Sequence, residues 1–456
     1  MSARFDGHEV RRALGLPISS YRVHFESVST DTRELRKGAL FVALSGDRFD
    51  GFDYLDRAAK RGALGAVIPE GRPLPPLDLE WYPVPDTTRA LGDLARLYRR
   101  RCGSRVIGVT GSSGKTTVKE MLACAIGSEH RVHATEGNYN NLIGVPLTIL
   151  DAPPDAEIWV LEMGSNAPGE IARLAAIAEP DDALITTIGP AHLEGFGDES
   201  GVLREKLALV RAARPAGIVV VGEKPALLGM SAREIRADCR VAGLGEAADW
   251  RPDRWGIGPT NAWFERQGTM YAVPAGGEHH LRDAVLAAAM AESTGVSAGG
   301  VAQGLENYRP VGMRGALRQL GELTIVADCY NANPESFAAA IDYCVRAFPD
   351  RRLTAVVGSM LELGTQSDMA HDEVARSLVD AGFDRVLALG EFGSAFERLT
   401  SATNGTRVER VSSPASAVEL LATELAGDEV VLVKASRGER LERVIEGLEA
   451  LFGEGS

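Results

Sequence analysis

One short segment of the chain has the residues of a phosphate-binding loop, Gly111-Ser112-Ser113-Gly114-Lys115-Thr116-Thr117. An apolar run ends at Thr110, and apolar residues at helical spacing follow the segment. Strand, glycine loop and helix in this order let backbone N–H groups and a helix N-terminus face an anion. In such a loop Lys115 neutralises the β- and γ-phosphates, and the Thr116 hydroxyl binds Mg²⁺. The strict spacing requires a glycine where this chain has Val109, so the loop is a shortened variant; a plain helix cap is the structural alternative.

A glutamate and a histidine come directly after two further apolar runs. Glu162 ends the run that starts at Ile158, and His192 follows Leu184–Ile188 and a Gly-Pro turn. The carboxyl ends of parallel strands line the ligand crevice of an open α/β sheet, so both side chains are expected beside the phosphate loop. There they would hold a second Mg²⁺ ion. A solvated glutamate and a hydrogen-bonded structural histidine are the alternatives that these residues leave open.

A lysine stands in an apolar stripe of the predicted helix 201–214. Val202, Lys206 and Val210 share one face at four-residue intervals. One interpretation is that the lysine extends its ammonium group to solvent. The other is chemical: a desolvated lysine has a lowered pKa, and its neutral amine can add CO₂ to become a carbamate. A carbamate at Lys206 would exchange a positive charge for a negative metal ligand and complete the set begun by Glu162 and His192.

The elements that must position these residues follow from alternating patterns. Short β-branched runs alternate with helical patterns from Arg105 onward, which predicts parallel βαβ units. Predicted strands lie at 105–110, 158–162, 183–188, 217–221, 323–328, 353–358, 385–389 and 430–434. Upstream, a strand at 39–44 and helices at 54–61 and 87–101 predict a smaller module. Residues 245–277 give no clear pattern.

The expected fold class is therefore α/β, in three domains. These are a small N-terminal α/β domain (1–102), a central domain with a P-loop-type doubly wound sheet (103–312) and a C-terminal Rossmann-like domain (313–456). A length of 456 residues agrees with three domains at roughly 100–200 residues each.

Composition narrows the class of protein. The chain has 45% hydrophobic and 25% charged residues, as in ordinary globular proteins, and a net charge of −14. Such a charge gives no general attraction to nucleic acid or anionic membranes, so neither is expected as a partner. Five cysteines without a close pair fit neither a disulfide framework nor a zinc site. Without an apolar signal core or a run of about 18 apolar residues, a cytoplasmic protein is expected.

Several motifs together resemble the Mur ligase family, ATP-dependent amide-bond-forming enzymes of peptidoglycan synthesis. Besides the phosphate loop, the resemblance rests on these segments: 137–146 (GNYNNLIGVP), 162–164 (EMG), 168–171 (PGEI), 192–197 (HLEGFG), 29–33 (STDTR), 46–51 (GDRFDG), 313–315 (MRG), 328–334 (DCYNANP), 362–364 (ELG) with His371, and 434–437 (KASR). Segments 192–197 and 328–334 favour the members that add a D-alanyl-D-alanine dipeptide. Departures from the pattern are His279-His280 and Asp283, where asparagines near adenine are usual, and Ser359 and Ala435.

The resemblance implies ATP, two Mg²⁺ ions and a carbamylated lysine. It assigns catalysis to Lys115, Lys206, His192 and Arg314. Metal binding falls to Thr116, Glu162, His192 and Lys206. Nucleotide binding falls to the phosphate loop from Gly111 to Thr117 and to Asn141, Asp283, Arg314, Asp328, Tyr330 and Asn331. Substrate binding falls to Ser29, Asp31, Arg33, Asn333, Lys434, Ser436 and Arg437.

The reaction that the resemblance implies joins D-alanyl-D-alanine to UDP-N-acetylmuramoyl-tripeptide through an acyl phosphate, in a monomer whose N-terminal domain holds the UDP substrate. Two alternatives stay open at this point. A related ligase would add a different amino acid with the same phosphate loop and lysine, and a non-catalytic ATP-binding protein would lack turnover. The sequence leaves the third residue of the tripeptide, lysine or diaminopimelate, open.

Overall fold

The computed structural model describes residues 3–19, 22–46, 49–190, 193–310, 312–399, 403 and 405–453. It confirms a mixed α/β fold built largely on parallel sheets. In the described ranges, none of the helices is both long and apolar enough to span a bilayer.

The N-terminal part is a small parallel sheet with short helices. Four strands pair in the order β3-β4-β7-β8, all parallel. This part of the chain has the strands β1 (Phe5–Asp6), β2 (His24–Phe25), β3 (Ser27–Ser29), β4 (Ala39–Val42), β5 (Ser45–Gly46), β6 (Phe49–Asp50), β7 (Gly65–Pro69) and β8 (Glu80–Val84). Outside the parallel sheet, β1 pairs with β2 and β5 with β6, both antiparallel. The helices are α1 (Gly7–Ala13), α2 (Leu55–Lys60) and α3 (Thr87–Arg101). The predicted helix 54–61 is shorter than expected because one 3₁₀ turn, Gly51–Tyr54, precedes α2.

Helix α3 begins and ends where the sequence predicts, and it packs on the next part of the chain. Asp86 caps its N-terminus by accepting from the backbone N–H groups of Thr88 and Arg89. The Tyr98 hydroxyl donates to the Ala152 carbonyl at 2.8 Å. Arg99 pairs with Asp181 at 2.8 Å. The helix thus connects the N-terminal sheet to the central one.

The central sheet has six parallel strands in the order β10-β11-β9-β12-β13-β14. They are β9 (Arg105–Thr110), β10 (Val132–Ala134), β11 (Ile158–Glu162), β12 (Asp182–Ile185), β13 (Val219–Gly222) and β14 (Arg240–Ala242). Its helices are α4 (Lys115–Gly127), α5 (Gly144–Asp151), α6 (Glu170–Ala178), α7 (Leu193–Phe196), α8 (Glu199–Ala212), α9 (Ala226–Ile235), α10 (Glu278–Ser293) and α11 (Ala298–Glu306). Every residue of β11 is buried, because helices cover both faces of the sheet.

The chain reverses its winding direction at β9, which lies between β11 and β12. A ligand crevice is expected at such a switch point, outside the carboxyl ends of the strands. Glu162 pairs with Val109 and Ile185 with Thr110, so these three strands end at the same level. The prediction of a strand reaching residue 188 is wrong, because β12 ends at Ile185. The Thr186 N–H still donates to the Thr110 carbonyl at 2.9 Å, and the Thr186 hydroxyl donates to the Ser113 carbonyl of the phosphate loop.

Residues 245–277, for which the sequence gave no pattern, contain a three-stranded antiparallel sheet. Its strands are β15 (Arg254–Ile257), β16 (Ala262–Arg266) and β17 (Thr269–Val273). The hairpin between β16 and β17 turns at Gln267 and Gly268, both with positive φ, as a two-residue primed turn requires.

The C-terminal part has a second six-stranded sheet, in the order β18-β19-β23-β20-β21-β22. Its strands are β18 (Ala316–Leu320), β19 (Leu323–Asp328), β20 (Leu353–Val357), β21 (Arg385–Ala388), β22 (Arg407–Arg410) and β23 (Val430–Lys434). Its helices are α12 (Pro334–Ala347), α13 (Ser367–Asp380), α14 (Glu391–Arg398), α15 (Pro414–Glu424) and α16 (Glu442–Phe452). The edge strand β18, which the sequence did not predict, is antiparallel to β19, and the other pairs are parallel.

Candidate active site

A cavity of about 1060 Å³ lies between the carboxyl ends of the central and C-terminal sheets. Both sheets direct strand ends at it, so residues far apart in the chain share one wall. The predicted residues that line it are Ser112, Ser113, Gly114, Lys115, Thr116, Thr117, Asn141, Glu162, Asp283, Arg314, Asp328, Tyr330, Asn331, Asn333, Lys434, Ser436 and Arg437. The structure therefore brings together the predicted phosphate site and most of the predicted C-terminal site.

Two glycines of the phosphate loop are required by close contacts. A Cβ at position 111 would lie 2.0 Å from Oγ1 of Thr186, and one at position 114 would lie 2.6 Å from Oδ1 of Asp283. Gly114 also has φ +77° at the N-cap of α4, a conformation that favours glycine. The loop is thus pressed against its neighbours, and its backbone N–H groups lie at a helix N-terminus, as an anion site needs.

Lys115 folds back over this loop. Its Nζ donates to the carbonyls of Gly111 at 2.9 Å and Ser112 at 3.2 Å. Burial lowers the pKa of Lys115, and the Arg314 guanidinium lowers it further, while Glu162 acts in the opposite sense. The ammonium group of Lys115 has neutral carbonyl groups as its hydrogen-bond partners. An anion bound in the loop would pair with its positive charge, as expected of a phosphate-binding lysine.

The Glu162 side chain is hydrogen-bonded through one of its two carboxylate oxygens. The side chain is 1% exposed, and Oε1 accepts from Nδ2 of Asn140 at 2.7 Å. The other oxygen, Oε2, is buried and has no hydrogen-bond partner within the described residues. A buried carboxylate oxygen without a donor is costly unless a cation neutralises it. Glu162 therefore fits the metal-ligand role predicted from sequence.

Lys206 is buried in α8 as the apolar stripe predicts, and the solvent-reaching interpretation is wrong. The residue is 2% exposed, and its Nζ donates to Oγ of Ser165 at 2.7 Å. Burial lowers its pKa to about 7, and the positive charge of Lys115 contributes. An amine with this pKa is neutral and nucleophilic in about half of the molecules near neutral pH.

The metal set predicted from sequence is only partly visible. His192 lies outside the described residues, and Lys206 meets the cavity wall through Ser165 rather than lining it. Within the described ranges, no three histidine, cysteine, aspartate or glutamate side chains come together as a metal site. Glu162 is the acidic side chain of the predicted set, and the carbamate at Lys206 stays a prediction.

The C-terminal wall is built around an aromatic ring and an ion pair. The Arg314 guanidinium lies 3.9 Å from the Tyr330 ring centre, and Nη1 of Arg437 donates to the Tyr330 hydroxyl at 3.3 Å. Asp328 at the end of β19 pairs with Lys434 at the end of β23, its register partner. Because Lys434 is 0% exposed, its ammonium serves first as the partner of Asp328.

Asn333, Ser436 and Asn141 make structural hydrogen bonds. Asn333 caps α12 by accepting from the Ser336 backbone N–H at 2.8 Å. Ser436 accepts from the Leu361 backbone N–H at 3.0 Å. Asn141 similarly accepts from the backbone N–H of Gly144 at 2.8 Å. These contacts fix the cavity wall and leave the predicted binding roles as predictions.

Of the departures from the family pattern, His280 and Ser359 have hydrogen-bond partners, whereas the buried Nδ1 of the neighbouring His279 has none within the described residues. His280 bonds through Nδ1 to the Gly276 carbonyl at 2.7 Å, and burial lowers the pKa of both His279 and His280. Burial, with the nearby Glu335, raises the pKa of Asp283 well above its ordinary value. Ser359 accepts from the Glu391 backbone N–H at 3.1 Å.

The predicted UDP-binding residues lie apart from this cavity. Ser29 and Asp31 form a tight turn in which the Ser29 hydroxyl donates to the Asp31 carbonyl at 2.9 Å. The Arg33 guanidinium donates hydrogen bonds of 2.6 to 3.0 Å to the Asp31 carboxylate. This pairing lowers the pKa of Asp31. None of the three residues lines the central cavity.

Three residues that support the site are not among the predicted site residues. Asn140 holds Glu162, Ser165 contacts Lys206, and the Thr135 hydroxyl accepts from the Glu162 backbone N–H at 2.9 Å. Asn140 and Thr135 both lie after the short strand β10, which the sequence did not predict. The proximity of Ser165 to Lys206 has no local signal, since 41 positions separate them.

Comparisons with known proteins point to one family along most of the chain. Models of the Mur ligase family catalytic domain, the Mur ligase middle domain and the Mur ligase glutamate ligase domain match residues 24–99, 109–291 and 313–437. The UDP-N-acetylmuramoyl-tripeptide–D-alanyl-D-alanine ligase of Bacillus subtilis is 34% identical over 426 residues, covering 92% of each chain.

Two solved structures have the same fold along the chain. A crystal structure of MurF from Acinetobacter baumannii matches with a TM-score of 0.88 at 29% identity, covering 98% of this chain and 99% of that one. A MurF ligase from Thermotoga maritima in complex with ADP matches with a TM-score of 0.82 at 30% identity, covering 94% and 98%.

Proposed function

This chain belongs to the Mur ligase family, and from that membership we propose that it is the ATP-dependent ligase that joins D-alanyl-D-alanine to UDP-N-acetylmuramoyl-tripeptide in peptidoglycan precursor synthesis. The observation that carries the proposal is the single cavity that unites the phosphate loop and Glu162 with Arg314 and Tyr330 of the C-terminal part. A ligase that couples ATP cleavage to amide formation needs phosphate groups and an acyl acceptor side by side, and this cavity provides room for both.

The proposed chemistry has two steps. An oxygen of the tripeptide carboxylate attacks the γ-phosphorus of ATP, the bond to the β-phosphate oxygen breaks, and an acyl phosphate and ADP form. The neutral amine of D-alanyl-D-alanine then attacks the acyl carbon, phosphate leaves, and the amine loses a proton. Positioning and charge neutralisation do most of the work in phosphoryl transfer. Lys115 would hold the phosphates, and Arg314 would meet the γ-phosphate.

Two Mg²⁺ ions are part of the proposal, and the residues present fit them. The Thr116 hydroxyl at the start of α4 would hold one ion, and Glu162 with His192 and a carbamylated Lys206 would hold the other. The unpartnered Oε2 of Glu162 supports this assignment. Bound Mg²⁺ would neutralise phosphate charge during transfer.

The carbamate at Lys206 rests on burial. The lone pair of neutral Nζ attacks the carbon of CO₂, one C–O electron pair moves to oxygen, and a proton leaves the nitrogen for solvent. A pKa of about 7 makes the neutral amine available for this step. The product is an anion in place of a cation, and the positive charge of Lys115 acts on Lys206, so the change relieves like-charge repulsion.

The remaining roles follow the division predicted from sequence. We propose domains at 1–102, 103–312 and 313–456, with the UDP moiety held by Ser29, Asp31 and Arg33 of the first. The nucleotide would contact Asp283, Tyr330 and the residues beside them in the cavity. The peptide and dipeptide would lie toward the C-terminal wall, which carries Asn333, Lys434, Ser436 and Arg437.

The proposal extends to cellular place and assembly. All five cysteines are unpaired, as is usual in a reducing compartment, which supports a cytoplasmic location. A monomer is proposed from the resemblance to the family.

ADP release and product mass test the proposed reaction. Purified protein with ATP, Mg²⁺ and UDP-N-acetylmuramoyl-tripeptide should release ADP rapidly only when D-alanyl-D-alanine is present. The product mass should equal the tripeptide nucleotide plus the dipeptide minus one water. ADP release that is indifferent to the dipeptide but depends on a single amino acid would favour a related ligase. No turnover with any acceptor would favour a non-catalytic nucleotide-binding protein.

A further inference from the structure

Ser165 is near two members of the proposed metal set, Glu162 in the sequence and Lys206 in space. It follows Glu162 by three residues, its side chain is 5% exposed, and it lines the cavity. Its Oγ is 2.7 Å from Nζ of Lys206, and within the described residues it is the hydrogen-bond partner of that nitrogen. A buried hydroxyl placed on the amine that is proposed to react is therefore in position to influence the reaction.

The loop that carries Ser165 is held from both sides. At its start the Gly164 N–H donates to the Asn140 carbonyl at 2.8 Å. At its end Glu205 of α8 accepts from the N–H groups of Gly169 and Ile171, both at 2.7 Å. Helix α8 thus supplies both Lys206 and the neighbouring carboxylate that fixes the loop. Oγ of Ser165 is consequently held near Nζ by contacts that do not depend on the lysine itself.

A hydroxyl has the chemistry to bond either form of the lysine. It carries one donor and two acceptor positions. Its oxygen accepts from the amine, as observed. After the amine adds CO₂ and releases a proton, the same O–H can turn and donate to a carbamate oxygen. Hydrogen bonds to charged groups are stronger than those between neutral groups, so the bond is expected to favour the carbamate.

We propose that Ser165 is a positioning residue that stabilises the carbamylated form of Lys206. The inference rests on the carbamate in the proposed function and adds a residue that acts on its equilibrium with CO₂. Phe196, whose ring centre lies 5.9 Å from Nζ, offers a π face but no hydrogen bond to a carbamate oxygen. Loss of the Ser165 hydroxyl should therefore leave the amine in place and weaken its carbamate.

The test titrates the full-length protein with ¹³C-bicarbonate at fixed pH and Mg²⁺ and follows the carbamate carbon by ¹³C NMR. In Ser165→Ala the bicarbonate concentration for half-maximal signal should rise about tenfold, the ratio that about 1.4 kcal/mol gives. Ser165→Thr keeps the hydroxyl and should return the value to that of the unmodified chain. Ligase activity of the alanine variant should recover with added bicarbonate.

Ser104→Ala is the matched control. Ser104 is 6% exposed and its hydroxyl donates to the Ala156 carbonyl at 2.6 Å, at the opposite end of the sheet. This variant should lose similar stability without any change in the titration. Equal titrations for Ser165→Ala and the unmodified chain would overturn the role of Ser165 and leave the carbamate standing. A missing carbamate signal in the unmodified chain would overturn both. If Ser165→Ala does not fold, Ser165→Cys, a similar-sized and weaker donor, should give a smaller rise, and no rise would overturn the inference.

Discussion

The central and C-terminal sheets meet at one cavity, and the charged residues at the carboxyl ends of their strands differ in how far they are paired. These two groups of strand ends are called the central edge and the C-terminal edge. At the central edge Glu162 leaves one buried oxygen without a hydrogen bond, and the hydroxyl of Ser165 is the hydrogen-bond partner of Lys206 in the described part of the chain. At the C-terminal edge Lys434 pairs with Asp328 and Arg314 lies on the Tyr330 ring, while Oε2 of Glu335 is buried without a hydrogen bond among the described residues. The charged strand-end residues are therefore unmatched at the central edge and paired at the C-terminal edge.

The difference indicates a division of labour. Groups with unmet electrostatic needs gain most when a phosphate, a cation or CO₂ arrives, so the central edge is suited to chemistry. Groups held by their own partners are preorganised and keep their geometry whether or not a ligand is present, so the C-terminal edge is suited to positioning. Variants at the central edge should therefore affect activity more than stability, with the reverse at the C-terminal edge.

The largest expected effect is at Lys115. Lys115→Met should lower the rate of dipeptide-dependent ADP release on the order of 10³-fold, because a positioned cation is lost from the transferring phosphate. Its thermal midpoint should stay the same or rise, since the substitution removes a buried charge that has backbone carbonyls for partners. Lys60→Met, at an exposed position on α2, is the control and should change neither. A fall in stability with retained turnover would reverse the proposed division.

The next effect should appear at Lys434 and concern stability. Lys434→Met leaves Asp328 in a largely buried place without its partner, so the free energy of unfolding should fall by about 3 kcal/mol. Adding Asp328→Asn should recover much of that loss. Urea unfolding of the two single variants and the double variant measures the coupling. Additive losses would mean that the C-terminal edge is not stabilised by this pair.

Glu162 should give a somewhat smaller effect, on metal binding. Glu162→Gln keeps the acceptor for Asn140 but removes the charge, so Mn²⁺ binding followed by electron paramagnetic resonance should weaken about 100-fold. Stability should change little, because the substitution replaces an unpartnered, charged carboxylate oxygen with an unpartnered, neutral amide nitrogen. Glu157→Gln, just before the start of β11, is the control. Unchanged Mn²⁺ binding in the Glu162 variant would remove this carboxylate from the metal set.

The smallest effect is a pH dependence of stability due to Lys206. Its folded pKa of about 7 lies below the unfolded value of about 10.4, so between these values the unfolded chain binds a proton that the folded chain does not. Stability therefore rises with pH in this window. From pH 7 to 9 in CO₂-free buffer, the unmodified chain should gain about 2 kcal/mol relative to Lys206→Met. If the difference in unfolding free energy between the unmodified chain and Lys206→Met were the same at pH 7 and pH 9, a buried lysine with a lowered pKa would be contradicted.

The sequence predicted the elements whose residues repeat a strong pattern. The strands Arg105–Thr110, Ile158–Glu162, Leu323–Asp328 and Val430–Lys434 and the helix Thr87–Arg101 occur as predicted, because continuous apolar runs and capped amphipathic stretches carry their own signal. The antiparallel strands within 254–273 and the edge strand Ala316–Leu320 were missed. They are short, and most of their residues are partly or fully exposed, so no periodicity marks them.

The sequence predicted those site residues that directly follow a strand. Glu162 and the phosphate loop follow apolar runs, and the rule that strand ends meet at one edge places them together. Asn140 and Ser165 were missed because their importance depends on which distant side chain they meet. The contact with Lys206 across 41 positions exists only after α8 packs against the loop that follows β11.

By itself the sequence predicted the phosphate loop, which depends on spacing within one segment, and the α/β class, which depends on alternating strand and helix patterns, but it left the burial of Lys206 open. Only the tertiary structure decided which charges are satisfied. Whether a carboxylate or an ammonium has a partner depends on groups from other strands, and this separates Glu162 and Lys206 from Asp328 and Lys434. The cost of burying a charge is set by its surroundings in space, and those surroundings are absent from a linear pattern.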